Sequence, residues 1–237
     1  MTRIRFAIAT TLVFTVALAG VTAPAKAASI GLYGSAGTGV ATWEDGAGWD
    51  VGADGWDRDT RHTGAGFALE TPTGIFRLSY RLGIGWERIV SEGESGGPDS
   101  ELEGLVIDQD LTYDLFATPA MRFWIGPELR LGFLHGSFDD TFGGGRSFVA
   151  AGVGPVFGLD VALSPSVALS WKLGYLIDWY SNDENSWSDD YYDHHDSFDD
   201  NSIEGGHAYI SMAVLFRLWG GPQPGPQPTP YQPQGRW

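Results

Sequence analysis

The most informative segment of this 237-residue chain is Phe76-Arg77-Leu78-Ser79-Tyr80-Arg81-Leu82-Gly83-Ile84-Gly85-Trp86-Glu87. Its even-numbered positions are bulky and apolar, whereas its odd-numbered positions are charged or small. Successive side chains of a β-strand point to opposite faces, so the segment predicts a strand with one apolar wall and one charged wall. A membrane barrel turns the apolar wall to lipid, while a soluble barrel or sandwich buries it. This segment alone does not distinguish a membrane barrel from a soluble barrel or sandwich, so the remainder of the chain is needed.

Similar alternation recurs along the chain and predicts eight strands, at roughly residues 30–43, 64–71, 75–90, 102–116, 121–136, 147–163, 167–180 and 206–219. Short turns containing Pro72, Pro119 and Pro165 alternate with longer polar loops at residues 44–63, 91–100, 137–146 and 181–205. This pattern predicts an all-β, eight-stranded antiparallel up-and-down transmembrane β-barrel. The Gly-rich first strand is placed by count, and Pro127 and Pro155 are predicted to mark bulges.

Both ends of the chain differ from the strand region. Residues 1–27 combine Arg3 and Arg5, an apolar run and Ala25-Lys26-Ala27, which predicts a secretory signal peptide cleaved before Ala28. The barrel is assigned to residues 28–219, and residues 220–237 predict an extended periplasmic tail rich in Pro, Gln and Gly. The apolar run is shorter than the ~20 residues of a spanning helix. A chain of this kind enters a membrane only as strands of a closed barrel.

The composition excludes several classes of function. The formal net charge of −16 at pH 7 repels nucleic acid, so we expect no nucleic-acid partner. The absence of cysteine excludes disulfides, thiolate catalysis and zinc–thiolate sites. We expect no cofactor.

The inward-facing positions of the predicted strands carry many charges. Cross-strand neighbours on one face are close enough to pair, and an eight-stranded barrel is only just wide enough for its own side chains. We therefore predict a paired network that fills the lumen; the alternative is the lining of a small-solute, porin-like channel. The predicted lumen charge network consists of Arg77, Arg81, Asp108, Asp110, Asp114, Arg122, Glu128, Arg130, Asp160, Lys172 and Arg217.

The outward-facing positions are apolar by contrast. The central ones carry no charged residue, where arginine or lysine would cost about 2–4 kcal/mol at the membrane midplane. Gln109 is the one clear polar exception. Aromatic residues gather near both rims, with Trp43, Trp86, Trp179 and Tyr180 at the long-loop rim, as aromatic girdles do at membrane interfaces.

This combination resembles the small outer-membrane barrel superfamily that includes the OmpA transmembrane domain, OmpX and OmpW. The resemblance is carried by the leader, the eight segments and the closing strand Ala208-Tyr209-Ile210-Ser211-Met212-Ala213-Val214-Leu215-Phe216-Arg217-Leu218-Trp219. It implies a location in the outer membrane of a Gram-negative-type bacterium, contact with outer-membrane lipid and lipopolysaccharide, and insertion by the barrel-assembly machinery. Such relatives differ among anchoring, adhesion and solute passage, so the resemblance does not define the function.

The fourth long loop is strongly acidic. Its oxygen ligands could hold Ca²⁺ or Mg²⁺ and its histidines a transition metal, although the spacing matches no defined metal loop and a solvated surface loop is the alternative. The residues of this predicted cation-binding loop are Asp189, Asp190, Asp193, His194, His195 and Asp196.

The hypothesis that the protein is an enzyme starts from the sequence His195-Asp196-Ser197, which resembles the His-x-Ser spacing of barrel-embedded lipid A deacylases. A hydrolase needs a nucleophile, a base and an orienting group within reach. A His and a Ser side by side on the lipid-facing wall at the outer rim would favour it. We expect instead a non-enzymatic surface barrel that contacts cations, lipopolysaccharide or an external partner, with the channel and the lipid A-modifying hydrolase as alternatives.

Overall fold

The computed structural model describes residues 28–43, 56–72, 77–91, 100–137, 145–182 and 202–218. They form eight β-strands, namely β1 (Ser29–Trp43), β2 (Trp56–Pro72), β3 (Leu78–Ser91), β4 (Ser100–Ala117), β5 (Met121–Ser137), β6 (Gly145–Ala162), β7 (Val167–Asn182) and β8 (Ser202–Arg217). Each strand pairs antiparallel with the next, and β1 pairs with β8 to close the barrel. The predicted fold class is confirmed. The predicted signal peptide (residues 1–27), the predicted Pro-rich tail (residues 220–237) and residues 183–201 of the predicted fourth loop lie outside the described residues.

The first strand closes the barrel as its placement by count predicted. It pairs with β2 from Ser29↔Glu70 to Trp43↔Trp56, and with β8 from Ser29↔Arg217 to Trp43↔Ile203. Among the described residues, no helix is long and apolar enough to cross a membrane.

Strand β2 begins eight residues earlier than predicted. Residues 56–63 are rich in charge, which favoured a loop, but they continue the ladder with β1, and from Thr60 onward also the ladder with β3. Their alternation places Thr60 and His62 inside the barrel, both buried, whereas Asp59 and Arg61 face outward and are exposed. Outward charges are tolerated here because this end of the strand lies beyond the apolar band.

The two strand prolines lie directly opposite each other, as the pair Pro127↔Pro155. The predicted bulges are wrong. Ladder pairs are missing beside each proline, yet the register resumes unchanged, for example from Asp110↔Glu128 to Tyr113↔Ile125. The register shift in the β4–β5 pairing lies between Asp114 and Phe116 instead. Because each proline lacks an N–H, the ladder loses a bond locally without gaining a residue.

The outer wall carries the apolar side chains that alternation predicted. Phe157, Phe133 and Leu115 are each more than half exposed. Tyr180 is an exception to the predicted aromatic girdle: it follows the outward Trp179, so it points inward and is buried. The short turns are closed locally, since Thr118 Oγ1 accepts from the Met121 N–H at 3.0 Å and Ser164 Oγ from the Val167 N–H at 3.1 Å.

Candidate functional site

The barrel interior is arranged in four levels from the short-turn end to the long-loop end. The first two levels contain ion pairs, the third contains two histidines, and the fourth is apolar. We name them the lower cluster (Glu70, Arg81, Asp114, Arg122, Asp160), the middle cluster (Asp108, Asp110, Glu128, Lys172, Tyr209), the histidine cluster (His62, Glu87, Arg130, Asp178, His207) and the apolar cap (Ala41, Ile89, Leu102, Val106, Leu134, Phe148, Ala150, Tyr180).

In the lower cluster two arginines share two carboxylates. Arg81 Nη2 lies 2.8 Å from both Glu70 Oε2 and Asp160 Oδ1. Arg122 Nη2 lies 2.6 Å from Asp160 Oδ2 and also pairs with Glu70 Oε1. Asp114 is more distant, with Oδ1 3.6 Å from Arg122 Nε. Shared, multidentate pairing of this kind fixes the planar guanidinium groups in position.

Trp124 packs against the lower cluster and contacts both Arg81 and Asp160. It is only 1% exposed, the Arg81 guanidinium lies 4.2 Å from its ring centroid, and its Nε1–H donates to Asp160 Oδ1 at 3.3 Å. The ring has room because residue 158 on the neighbouring strand is glycine, where a Cβ would overlap the indole. Cation–π contact and the indole hydrogen bond therefore add to the ion pairs.

The middle cluster is centred on one lysine. Lys172 Nζ lies 3.3 Å from Asp110 Oδ2 and 3.2 Å from Glu128 Oε1. Glu128 is 1% exposed and also accepts a hydrogen bond from the Tyr209 hydroxyl. One oxygen each of Asp108 and Asp110, Oδ1 in both residues, is buried with no hydrogen-bond donor. Acceptors therefore exceed donors at this level.

The histidine cluster contains two stacked imidazoles. The rings of His62 and His207 lie 4.0 Å apart, with 10° between their planes. His62 Nδ1 is 3.2 Å from Glu87 Oε1, and His207 Nδ1 is 2.5 Å from Asp178 Oδ2. Arg130 pairs with Glu87 and places Nη1 3.3 Å from His207 Nε2. All ring nitrogens of this pair thus have polar neighbours, the last being Thr60 Oγ1 at 3.2 Å from His62 Nε2.

The apolar cap covers the histidines on the long-loop side. Leu134 and Phe148 are each 3% exposed. A cavity of about 70 Å³ reaches from Glu70 up to His62 and His207, and a smaller one of about 20 Å³ lies above the same two histidines. The stacked imidazoles line both cavities, so they stand between the two.

Nine of the eleven predicted lumen residues lie within these ion-paired clusters. Arg77 does not: it is exposed in the turn before β3, with φ of 60°. A left-handed residue interrupts strand alternation, so parity no longer determines where its side chain lies. Arg217 lies at the end of β8, where its Nη1 donates to the Pro165 carbonyl at 3.4 Å rather than to a carboxylate of the network.

Several residues of the site were not selected from the sequence. Glu70 follows the outward Phe67 and Leu69, so alternation was a sufficient signal for it. His62 lay in a segment assigned to a loop. His207, Tyr209 and Tyr33 are uncharged or aromatic, and a search for charge passes over them. Strand parity had already placed Glu87 and Asp178 on the inward face, and the inward residues that the structure adds are Tyr33, His62, Glu70, Trp124, Ser170, His207 and Tyr209.

A second arrangement of interest lies on the outer wall near the long-loop end. His135 on β5 and Ser147 on β6 are register partners, both exposed, with Nδ1 and Oγ 3.5 Å apart. Glu103 on β4 is the register partner of His135 on its other side, and it is exposed as well. The sequence His195-Asp196-Ser197 and the predicted cation-binding loop (Asp189, Asp190, Asp193, His194, His195, Asp196) lie outside the described residues.

A closed eight-stranded antiparallel barrel with an apolar exterior and a charged interior defines the class of small outer-membrane β-barrels. Solved structures of similar fold include the outer membrane protein OprG from Pseudomonas aeruginosa, at 12% identity and a TM-score of 0.47 over 83% of this chain and 97% of that one. The outer membrane protein AlkL in lipid bilayers matches at 16% identity and a TM-score of 0.46, over 81% and 90% of the two chains.

Neisserial surface protein A matches at 15% identity and a TM-score of 0.39, over 77% of this chain and 96% of that one. The outer membrane protease OmpT from Escherichia coli also matches, at 10% identity and a TM-score of 0.34, over 81% and 96% of the two chains. No family model and no curated protein matches the sequence. At these identities the likeness concerns the fold alone.

Proposed function

We propose that this protein is a non-conducting outer-membrane barrel that acts through its long acidic loops at the cell surface. The observation that carries the proposal is the succession of two barriers along the lumen, ion-paired clusters below and the apolar cap above. A porin-like channel is the alternative, and it requires both barriers to open.

The first barrier consists of side chains that hold one another across the barrel. Arg81 on β3 bridges Glu70 on β2 and Asp160 on β6, and Lys172 on β7 bridges Asp110 on β4 and Glu128 on β5. A solute passing these levels has to separate buried pairs and leave their charges uncompensated, and for comparison deleting one partner of a buried pair costs about 3–5 kcal/mol. The pairs therefore oppose passage as long as they are formed.

The second barrier is apolar. Leu102, Leu134, Phe148 and Tyr180 converge from β4, β5, β6 and β7 and are all buried. Hydrophobic constrictions exclude water and with it hydrated ions. This level has no charged side chain among its members, so an ion that crossed it would lose hydration without gaining a partner.

The surface role rests on the composition of the loops. Residues 183–200 contain eight acidic residues and neither Lys nor Arg. Carboxylates at such density suit Ca²⁺ and Mg²⁺, and a bound divalent cation can in turn bridge to the phosphate groups of lipopolysaccharide. We propose this bridging as the way in which the barrel contacts the outer leaflet.

Planar-bilayer recording of the purified full chain tests the closed lumen. We expect no discrete conductance steps from the parent protein. We expect steps from the triple variant Arg81→Ala/Leu134→Ala/Phe148→Ala, because Arg81→Ala weakens the ion-paired barrier and the other two substitutions weaken the apolar cap. Discrete steps from the parent that change size with Arg81→Ala alone would overturn the proposal in favour of the channel.

Vesicles containing lipopolysaccharide test the surface role. We expect binding that requires millimolar Ca²⁺ and falls in the variant Asp189→Asn/Asp190→Asn/Asp193→Asn. A matched control is Glu92→Gln/Glu94→Gln/Asp99→Asn, which removes three carboxylates from another predicted loop. Binding that is indifferent to Ca²⁺ and to all these substitutions would contradict the cation bridge.

A second candidate function is acyl-ester hydrolysis at the membrane surface, favoured by the row Glu103, His135 and Ser147. These residues lie on three adjacent strands and supply an acid, a base and a hydroxyl in the order that a hydrolytic triad requires. The distance of 3.5 Å between His135 Nδ1 and Ser147 Oγ is long for a hydrogen bond, as is common when no substrate is bound.

Mass spectrometry of phospholipid and lipid A after incubation with the purified protein tests this candidate. Release of free fatty acid that is lost in Ser147→Ala, and retained in the control Ser181→Ala, would establish the hydrolase. Lipids unchanged by the parent protein would leave the non-enzymatic barrel as the sole proposal.

A further inference from the structure

We propose that His62, Glu87 and His207 form a binding site for a divalent transition metal, such as Zn²⁺, inside the barrel. The three residues come from β2, β3 and β8, and all are buried. One ligand atom from each lies within 4.8 Å of the others. This site is separate from the surface loops and does not depend on the proposed surface role.

The chemistry of the donors fits such a metal. Two imidazoles and one carboxylate are a ligand set of zinc sites that keep a fourth position for water. The 3.2 Å between His62 Nδ1 and Glu87 Oε1 is close to the ~3.4 Å that separates two ligands of a tetrahedral zinc ion with bonds near 2.1 Å. The imidazoles are now stacked with 10° between their planes, so both lone pairs converge on one ion only if the rings tilt apart while keeping their contacts to Asp178 and Thr60.

The neighbours of the two histidines orient them as neighbours of metal ligands do. His207 Nδ1 is 2.5 Å from Asp178 Oδ2, and His62 Nε2 is 3.2 Å from Thr60 Oγ1. Donating one ring N–H to such an acceptor leaves the other nitrogen free to bind a metal. By this arrangement His207 Nε2 and His62 Nδ1 are the ligand atoms.

A positive group already lies at the point where these ligands meet. The Arg130 guanidinium pairs with Glu87 and places Nη1 3.3 Å from His207 Nε2. Arg130 has an alternative partner, because Asp108 Oδ1 is 3.9 Å from its Nε and has no hydrogen-bond donor. Metal binding would therefore move the guanidinium from Glu87 towards Asp108.

The charge of the lumen favours a cation. Among the described inward residues, eight carboxylates face three arginines and one lysine in the three polar levels. The carboxylates belong to Glu70, Glu87, Asp108, Asp110, Asp114, Glu128, Asp160 and Asp178, and the cations to Arg81, Arg122, Arg130 and Lys172. A divalent ion offsets part of this surplus. The cavity of about 70 Å³ below the histidines has space for a metal-bound water.

Zinc titration of the full chain, after chelator treatment, tests the site by calorimetry in detergent. The loop residues His194 and His195 are a competing source of zinc binding, so the measurements use a His194→Asn/His195→Asn background. We expect one Zn²⁺ per chain in that background, and affinity at least about tenfold lower with His207→Asn or Glu87→Gln. The matched control Glu101→Gln, which changes an exposed glutamate, should leave the affinity unchanged.

Arg130→Gln separates this proposal from a merely structural cluster. Removing the internal cation should raise zinc affinity about tenfold or more, because the metal no longer displaces a guanidinium. Folding of every variant is checked by the mobility shift on boiling, and Glu87→Asp replaces Glu87→Gln if the latter fails to fold. Binding lost in the His194→Asn/His195→Asn background, or unaffected by His207→Asn, would overturn the proposal.

Discussion

The Tyr80 hydroxyl donates a 2.9 Å hydrogen bond to Gln109 Oε1 on the outer wall of the barrel. Both side chains follow the outward parity of their strands, yet both are buried among their neighbours. In lipid neither group could hydrogen-bond to water, so each satisfies the other. Gln109, the polar exception predicted for the apolar wall, is thus half of a pair on adjacent strands.

This relationship predicts that the two residues are coupled. Gln109→Leu alone should lower the free energy of unfolding by about 1–3 kcal/mol, because it leaves the buried Tyr80 hydroxyl without an acceptor. Adding Tyr80→Phe should restore most of the loss. Urea unfolding in lipid bilayers measures the cycle, and purely additive effects would show that the hydroxyl finds another partner.

The lower cluster should depend strongly on Asp160. Asp160→Asn removes the carboxylate that Arg81 and Arg122 share at 2.8 and 2.6 Å, and breaking such a buried network should cost about 3–5 kcal/mol of unfolding free energy. Glu101→Gln is the matched control, since its pair with Arg88 is exposed. Equal stability of the two variants would indicate that water reaches the lower cluster.

The middle cluster should show compensation. Lys172→Met leaves Asp110 and Glu128 as buried carboxylates without their shared cation, and should destabilise the barrel. Glu128→Gln in the Lys172→Met background should recover part of the loss, with a coupling of about 0.5–3 kcal/mol. A double variant that is weaker than Lys172→Met alone would contradict this charge balance.

Glycine at position 158 should be required for the packing of Trp124. In Gly158→Ala the new methyl group overlaps the indole, and overpacking of this kind costs about 1–3 kcal/mol. Gly34→Ala is the control, because a Cβ there comes no closer than 3.8 Å to a neighbouring atom. Chemical unfolding of the two variants should separate them clearly.

The barrel should fractionate with the outer membrane and migrate faster on gels before boiling than after it, as closed barrels resist detergent. Recovery in the soluble fraction, without a mobility shift, would contradict insertion.

Ile125→Arg places a charge on the outer wall. It should lower the free energy of unfolding by about 2–4 kcal/mol if that position faces the bilayer midplane, as urea unfolding in bilayers would measure.

Strand alternation was sufficient to predict most of this structure. Once Arg81 and Leu82 are assigned to opposite walls, parity along each strand separates lumen from lipid, and the closed topology follows from eight strands and short turns. It failed where a local feature interrupts the alternation, as the left-handed Arg77 does, or where charge at a strand end resembles a loop, as in residues 56–63.

The contacts within the lumen could not be predicted in the same way. Strand parity places Asp110 and Arg130 on the same wall. The partner of Lys172 depends instead on the distances between side chains across the closed barrel, and the sequence does not give those distances. The stacked His62 and His207 illustrate the limit, since they are 145 residues apart and meet across the β1 strand.

Strand β1 contains no charged residue between Ser29 and Trp43, whereas every ion pair described in the lumen joins residues of β2 to β8. Docking β1 against β2 and β8 therefore buries no ionised side chain of β1, and both of its seams are continuous backbone ladders. In terms of assembly, β1 joins the sheet without forming an ion pair, whereas the pairs from β3 to β6 and from β4 to β7 form only when the sheet curls, so the lumen charges couple barrel closure to the other seven strands.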